Sequence, residues 1–162
     1  MITVVMDRPV SGSPDQVWAV IDDVERMSEW FAFADRAELI EGSGLGRRQR
    51  THGTWSGKAA EVDQEVTLYE PGRAIGWRHL EERLDGRPAP KFAEEVVFCV
   101  RLEEEPGGTR VTMESRQRPV GFLKGVLIRL VGLVQIRTQM KRSLDRLESI
   151  AAAELCAGVR TG

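Results

Sequence analysis

The feature that most constrains this chain is a change of period near residue 120. Before it, short runs of β-branched and aromatic residues alternate with turns rich in glycine and proline; from Gly121 to about Ala153 the apolar residues recur at helical spacing. Strand-like runs lie at 2–10, 37–41, 47–55, 62–69, 74–84, 92–102 and 109–117. The turns at 41–46, 70–72, 85–90 and 105–108 have the chemistry of hairpin connections, so most of the sheet reads as an antiparallel meander. Within 92–102, Val96, Phe98, Val100 and Leu102 alternate with charged positions, which buries one face and wets the other. By the same alternation Val111, Met113 and Ser115 share an inner face, as do Ile75, Trp77 and His79.

Between the first strand and the meander, Ser13 is suited to cap a helix and Pro14 to open it. Val17, Trp18, Val20, Ile21 and Val24 supply its apolar side. Met27, Trp30, Phe31 and Phe33 follow as a dense aromatic cluster, a second short helix and its exit. The prediction is an α+β fold: a curled antiparallel sheet of about seven strands around a long C-terminal helix, with two short helices after the first strand. With 162 residues there is room for one core, a single domain over 1–153, and residues 154–162 have no sustained pattern and are expected to fray.

On the long helix Phe122, Val126, Leu133, Met140, Leu144, Leu147 and Ala151 fall in one stripe at 100° per residue, the stripe expected to cover the sheet. Leu123, Leu127, Val131 and Val134 form a second stripe, and Lys124, Arg129, Arg137, Lys141, Arg142 and Arg146 meet only Asp145 in the same stretch. Three readings stay open. Loops cover the second stripe while the acidic segments 81–82, 94–95 and 103–105 neutralise the helix; or the stripe joins two subunits as a homodimer; or the helix makes a peripheral contact with an anionic membrane surface.

Charge and composition exclude several classes. A formal charge of -2 argues against nucleic acid held by a broadly basic surface. Two cysteines, Cys99 and Cys156, form neither a disulfide framework nor a metal-ligand cluster. The apolar run 126–136 contains Arg129 and is shorter than a bilayer span, and the first residues lack the layout of a secretory signal, so a cytoplasmic protein is expected. The glycines of 42–46 are followed by a strand where a dinucleotide fingerprint needs a helix, and they read as a hairpin turn.

Several segments carry a family resemblance. Pro14-Asp-Gln-Val-Trp-Ala-Val-Ile-Asp-Asp23 and Ser28-Glu29-Trp30 resemble the first helices of the START-like superfamily, which has the helix-grip fold of the Bet v 1-like pollen-allergen proteins and polyketide cyclases. Gly42-Ser-Gly-Leu-Gly46, Glu65-Val-Thr-Leu-Tyr-Glu-Pro-Gly72 and Gly107-Gly-Thr-Arg-Val-Thr112 are similar to its glycine hairpin, its Glu-Pro strand end and its last turn. Each motif alone is turn or cap chemistry; their order over residues 2–150 is specific. The branch it looks most like is the bacterial polyketide cyclase/dehydrase and lipid-transport group. The resemblance implies a cavity between sheet and helix for an apolar small molecule, and it implies no particular reaction.

The inner faces then suggest a lining: Phe31, Thr51, Trp55, Trp77, His79, Phe98 and Met113, closed from the long helix by Leu130, Leu133 and Val134. The expected ligand is hydrophobic or amphipathic, such as a lipid, polyketide or isoprenoid. The alternative is a cyclase or dehydratase using the same cavity, with His79 as acid or base and Thr51 or Ser115 orienting a carbonyl, although no dyad stands at recognisable spacing. His52 is the other histidine, and neither has metal-ligand neighbours in sequence, so no metal and no cofactor are expected. Arg47, Arg48 and Arg50 read as a solvated strand surface or, alternatively, as a site for an anionic ligand.

Overall fold

The computed structural model describes residues 1–161. β1 (Ile2–Val10) leads into α1 (Pro14–Ile21) through a capping box: the Ser13 hydroxyl accepts from the Gln16 N–H, and the Gln16 side chain accepts from the Ser13 N–H. One turn of 3₁₀ helix at Val24–Arg26 and the short α2 (Met27–Trp30) complete the helical interruption. The meander follows as β2 (Arg36–Glu41), β3 (Arg48–Trp55), β4 (Lys58–Glu70), β5 (Ala74–Leu84), the two-residue β6 (Arg87–Pro88), β7 (Ala93–Glu105) and β8 (Gly108–Pro119). Pairing is antiparallel throughout, in the order β1-β8-β7-β5-β4-β3-β2, with β6 held only by β5.

β4 begins four residues before the run at 62–69. Ser56 (φ 51) and Gly57 (φ 76) both lie in the left-handed region, so Trp55 and Lys58 join in a tight two-residue hairpin. Charged and small residues at 58–61 had masked that strand, because its hydrogen bonds come from the backbone and not from an apolar pattern.

The helical end is α3 (Gly121–Leu127), a π turn at Ile128–Gly132 and α4 (Leu133–Thr161). The Leu133 N–H bonds to the Ile128 carbonyl, five residues back. That turn holds one more residue than an α-helical turn and rotates everything before it relative to α4. The single stripe expected from Phe122 to Ala151 is therefore broken. Met140, Leu144, Leu147 and Ala151 are buried, while Phe122 is 84% exposed and Val126 lies at the surface. The helix also continues past Ala153 to Thr161, where a frayed tail was expected; the alanine-rich 151–153 favours helix, although burial ends at Ala151.

α4 closes over β1 and α2 by polar ties as well as by its apolar stripe. Arg8 pairs with Asp145, the Ser11 N–H and hydroxyl both donate to Glu148 (2.6 and 2.8 Å), and the Ala32 N–H donates to the Ser143 hydroxyl at 2.9 Å. The result is the helix-grip arrangement expected from the sequence. Its core runs from Val17, Val20 and Ile21 through Trp30 and Phe31 to Ile75, Trp77, Phe98, Val100, Val111 and Met113. No helix among the described residues is long and apolar enough to cross a membrane.

Candidate functional site

The aromatic residues expected to line a cavity divide into two groups. Trp77, on the inner face of β5, pairs across the sheet with Phe98 of β7, and their rings stack with centroids 6.0 Å apart. Phe31 meets both rings edge-on at 5.4 Å and Trp30 meets Trp77 at 6.5 Å. Phe31, Trp77, Phe98 and Met113 are all at most 3% exposed and form packed core. Phe33 lies on the outer side of this cluster, 4.9 Å from Phe31 and 5.1 Å from Phe98, and carries it to the surface of a cleft.

That cleft, about 480 Å³, opens between the distal halves of β3 and β4 and the start of α4. Thr51, Trp55, Ala60 and Val62 form its sheet wall, Phe33 its floor, and Gly132, Gln135, Ile136 and Gln139 its helix wall, with Asp35, Arg142 and Arg146 at the polar side. Among the expected residues Thr51 and Trp55 belong to it. Leu133 instead packs half-buried against the core, and Leu130 (72% exposed) and Val134 (67%) face solvent. The π turn carries Leu130 outward, whereas Val134 follows it in α4 and lies off that helix's buried stripe, which Ile136 and Gln139 flank on the cleft side. The Gln139 side-chain oxygen is buried in the cleft wall without a hydrogen-bond partner among the described residues, and neither Arg142 nor Arg146 has an ion-pair partner there.

His79 lies in a second cleft. β5 pairs with β7 only over Ala74–Arg78; beyond that it pairs with β6, and the gap left before Val96 holds about 300 Å³ lined by His79, Glu82, Lys91 and Val96 among others. His79 Nδ1 is 2.6 Å from Glu82 Oε1. In a regular strand residues three apart face opposite sides. Here Gln64 pairs with His79 and Asp63 with Glu81, so Leu80 is an extra residue in β5, and the bulge brings Glu82 to the side of His79. The hydrogen bond from His79 holds the Glu82 carboxyl below its ordinary range, and an ionised carboxylate only accepts, so His79 Nδ1 is the donor. This dyad was missed because spacing alone hides it and only the bulge creates it. Thr51 lines the other cleft, and the Ser115 hydroxyl is buried on the inner face of β8 without a hydrogen-bond partner among the described residues, so neither is placed beside His79.

The arginines at the start of β3 are engaged. Arg47 is only 7% exposed: its guanidinium donates to the Asp22 carboxylate and carbonyl, both at 2.9 Å, and to Gln49 at 3.2 Å. Gln49 passes the chain to Gln64 at 3.0 Å, and the Tyr69 hydroxyl donates to Asp22 at 2.9 Å. Arg47 therefore corrects the expectation of a solvated surface; it anchors α1 to the closed end of the grip. Arg48 pairs with Glu41, and Arg50 with Asp63, which Arg83 also binds. Hydrogen bonds from Arg50, then Arg83, lower the Asp63 pKa to about 2.

His52 borders the larger cleft but sits among Arg36, Glu38 and Glu61, Cys99 is buried with its thiol pKa pushed up by burial, and Cys156 is exposed on α4. Among the described residues no three His, Cys, Asp or Glu side chains converge as a metal site requires.

The model of the polyketide cyclase/dehydrase and lipid-transport family matches residues 1–152. The chain belongs to that family. No curated protein matches the sequence. Solved structures of the same fold accompany the family match, at low identity. The Zhui aromatase/cyclase from a Streptomyces species is 18% identical with a TM-score of 0.72, 95% of each chain being covered. The ginseng major latex-like protein 151 from Panax ginseng is 12% identical with a TM-score of 0.71, covering 93% of this chain and 97% of its own. A protein from Thermus thermophilus is 17% identical with a TM-score of 0.74, over 94% of this chain and 99% of its own. In this family member the two clefts described above are lined by strand residues remote from Arg47.

Proposed function

We propose that this family member binds a hydrophobic or amphipathic small molecule in the cleft between β3, β4 and α4, acting in the cytoplasm as a carrier or store for it. The observation that carries this reading is the cleft's two-sided chemistry. Phe33, Trp55, Val62 and Ile136 offer an apolar wall, while Arg142 and Arg146 present cations with no ion-pair partner among the described residues. A volume of about 480 Å³ falls in the range of small-molecule sites. A lipid, polyketide or isoprenoid with a hydroxyl or acidic end matches that division. Native mass spectrometry of freshly purified protein, followed by a screen of lipids and polyketides by thermal shift, tests it. A ligand present at a hundred times its Kd stabilises by about 2.7 kcal/mol and raises Tm by roughly 5–10 °C. A bare mass spectrum together with no shift across the screen would overturn the reading.

The His79–Glu82 pair favours a second reading, an enzyme of the cyclase or dehydratase type. His79 Nε2 takes a proton from carbon beside a ketone, and Glu82 stabilises the imidazolium that forms. On a poly-ketone substrate, His79→Gln would then abolish turnover while Glu82→Gln lowers it; unchanged turnover in His79→Gln refutes it.

A further inference from the structure

The outer face of α3 and the π turn carries the densest run of exposed large apolar side chains among the described residues. Phe122, Leu123, Leu127, Leu130, Val131 and Val134 are between 49% and 84% exposed within a single stretch of helix. Ordinary surfaces carry apolar side chains singly, and a contiguous patch of this kind marks a docking site. It exists because the π turn rotates this segment out of phase with the buried stripe of α4, leaving Ile128 as its one buried side chain.

Charge decides what covers it. No aspartate or glutamate occurs between Glu114 and Asp145, while Lys124, Arg129, Arg137, Lys141 and Arg142 fall within that interval. Arg129, Arg137 and Arg142 have no ion-pair partner among the described residues, and the acidic strand segments do not reach them: Glu81 pairs with Arg83, Glu95 with Arg118 and Glu105 with Arg110. In a two-fold dimer the same patch meets itself, so these cations would face their own copies with no carboxylate between them. An anionic lipid surface meets both requirements, taking the apolar side chains into the acyl boundary and the arginines at the headgroups.

We propose that α3 and the following π turn dock this protein on an anionic membrane surface. The proposal stands apart from the ligand reading, since none of the six apolar residues lines either cleft. Gly132, the last residue of the π turn, and Ile136, one turn further on, border the larger cleft, so the docking segment leads directly into the cleft wall.

Co-sedimentation of the full chain with phosphatidylcholine vesicles, with and without phosphatidylserine, tests it. Binding is expected only with phosphatidylserine. Arg129→Gln with Arg137→Gln should weaken it about 30-fold at low salt, roughly fivefold for each charge. Phe122→Ser with Leu130→Ser should weaken it by more than about tenfold, and because both side chains are exposed the thermal melt should be unchanged. If that pair perturbs folding, the arginine pair still decides. Absence of binding to phosphatidylserine vesicles, equal binding by wild type and the arginine pair, or a concentration-dependent dimer that Phe122→Ser with Leu130→Ser dissolves and vesicles do not compete with, would each overturn the proposal.

Discussion

Replacing Arg47 by methionine keeps most of the side-chain volume and removes the charge at the closed end of the grip. Three hydrogen bonds go with it, two to Asp22 and one to Gln49. Asp22 keeps the Tyr69 hydroxyl, but the Gln49 oxygen, in a residue 1% exposed, is left without its donor. Breaking a buried ion pair from one side costs about 3–5 kcal/mol, and an exposed pair is worth less than about 1 kcal/mol. The Arg47 side chain is 8% exposed and that of Asp22 27%, which places the expected loss near the lower end, about 3 kcal/mol. In a domain of this size that corresponds to a fall in Tm of roughly 6–12 °C. Urea denaturation followed by tryptophan fluorescence should show an earlier midpoint with an unchanged slope. A loss below about 1 kcal/mol would refute the inference that this network ties α1 to β3, and a double-mutant cycle with Asp22→Asn should give coupling well above that of an exposed pair.

Two further perturbations test other parts of the frame. The Asp63 pKa is depressed to about 2 when folded, so its contribution is present in full above its ordinary value of 3.8 and is lost as pH falls toward 2. Stability should drop by about 2 kcal/mol across that window, and Asp63→Asn should flatten the drop in a pH series of urea melts. A Cβ at Gly108 would stand 2.3 Å from the Val10 carbonyl oxygen, so Gly108→Ala should cost about 3 kcal/mol by forcing β1 and β8 apart; a wild-type melting curve would contradict this.

The frame was legible in the sequence because backbone periodicity and cap chemistry act locally. Ser13 and Pro14 open α1 as their types require, and the alternations through Phe98, Met113 and Trp77 place those side chains on the buried face. What could not be read depends on single inserted residues and on partners distant in sequence. The π turn at Ile128–Gly132 shifts helical phase, so Leu130, expected in the cavity, faces solvent. Val134, also expected there, lies off the buried stripe of α4 and faces solvent too, while Ile136 and Gln139 line the cleft. The bulge at Leu80 makes neighbours of His79 and Glu82. Arg47 carries the composition of a surface residue and is buried because Asp22, on another element, meets it. Phe33 was visible as part of an aromatic cluster, but its position at the cleft floor follows from how Phe31 and Phe98 fill the core behind it.

The central claim is that the cleft between β3, β4 and α4 takes an amphipathic ligand, apolar end to Ile136 and polar end to Arg142 and Arg146. A titration of 1-anilinonaphthalene-8-sulfonate, an anionic amphiphile of suitable size, tests it most directly when compared between wild type, Ile136→Trp and Leu130→Ser. The account predicts a saturable cleft site that Ile136→Trp fills and abolishes and that remains in Leu130→Ser, whose change lies on the outer face; equal binding by Ile136→Trp and wild type would contradict it.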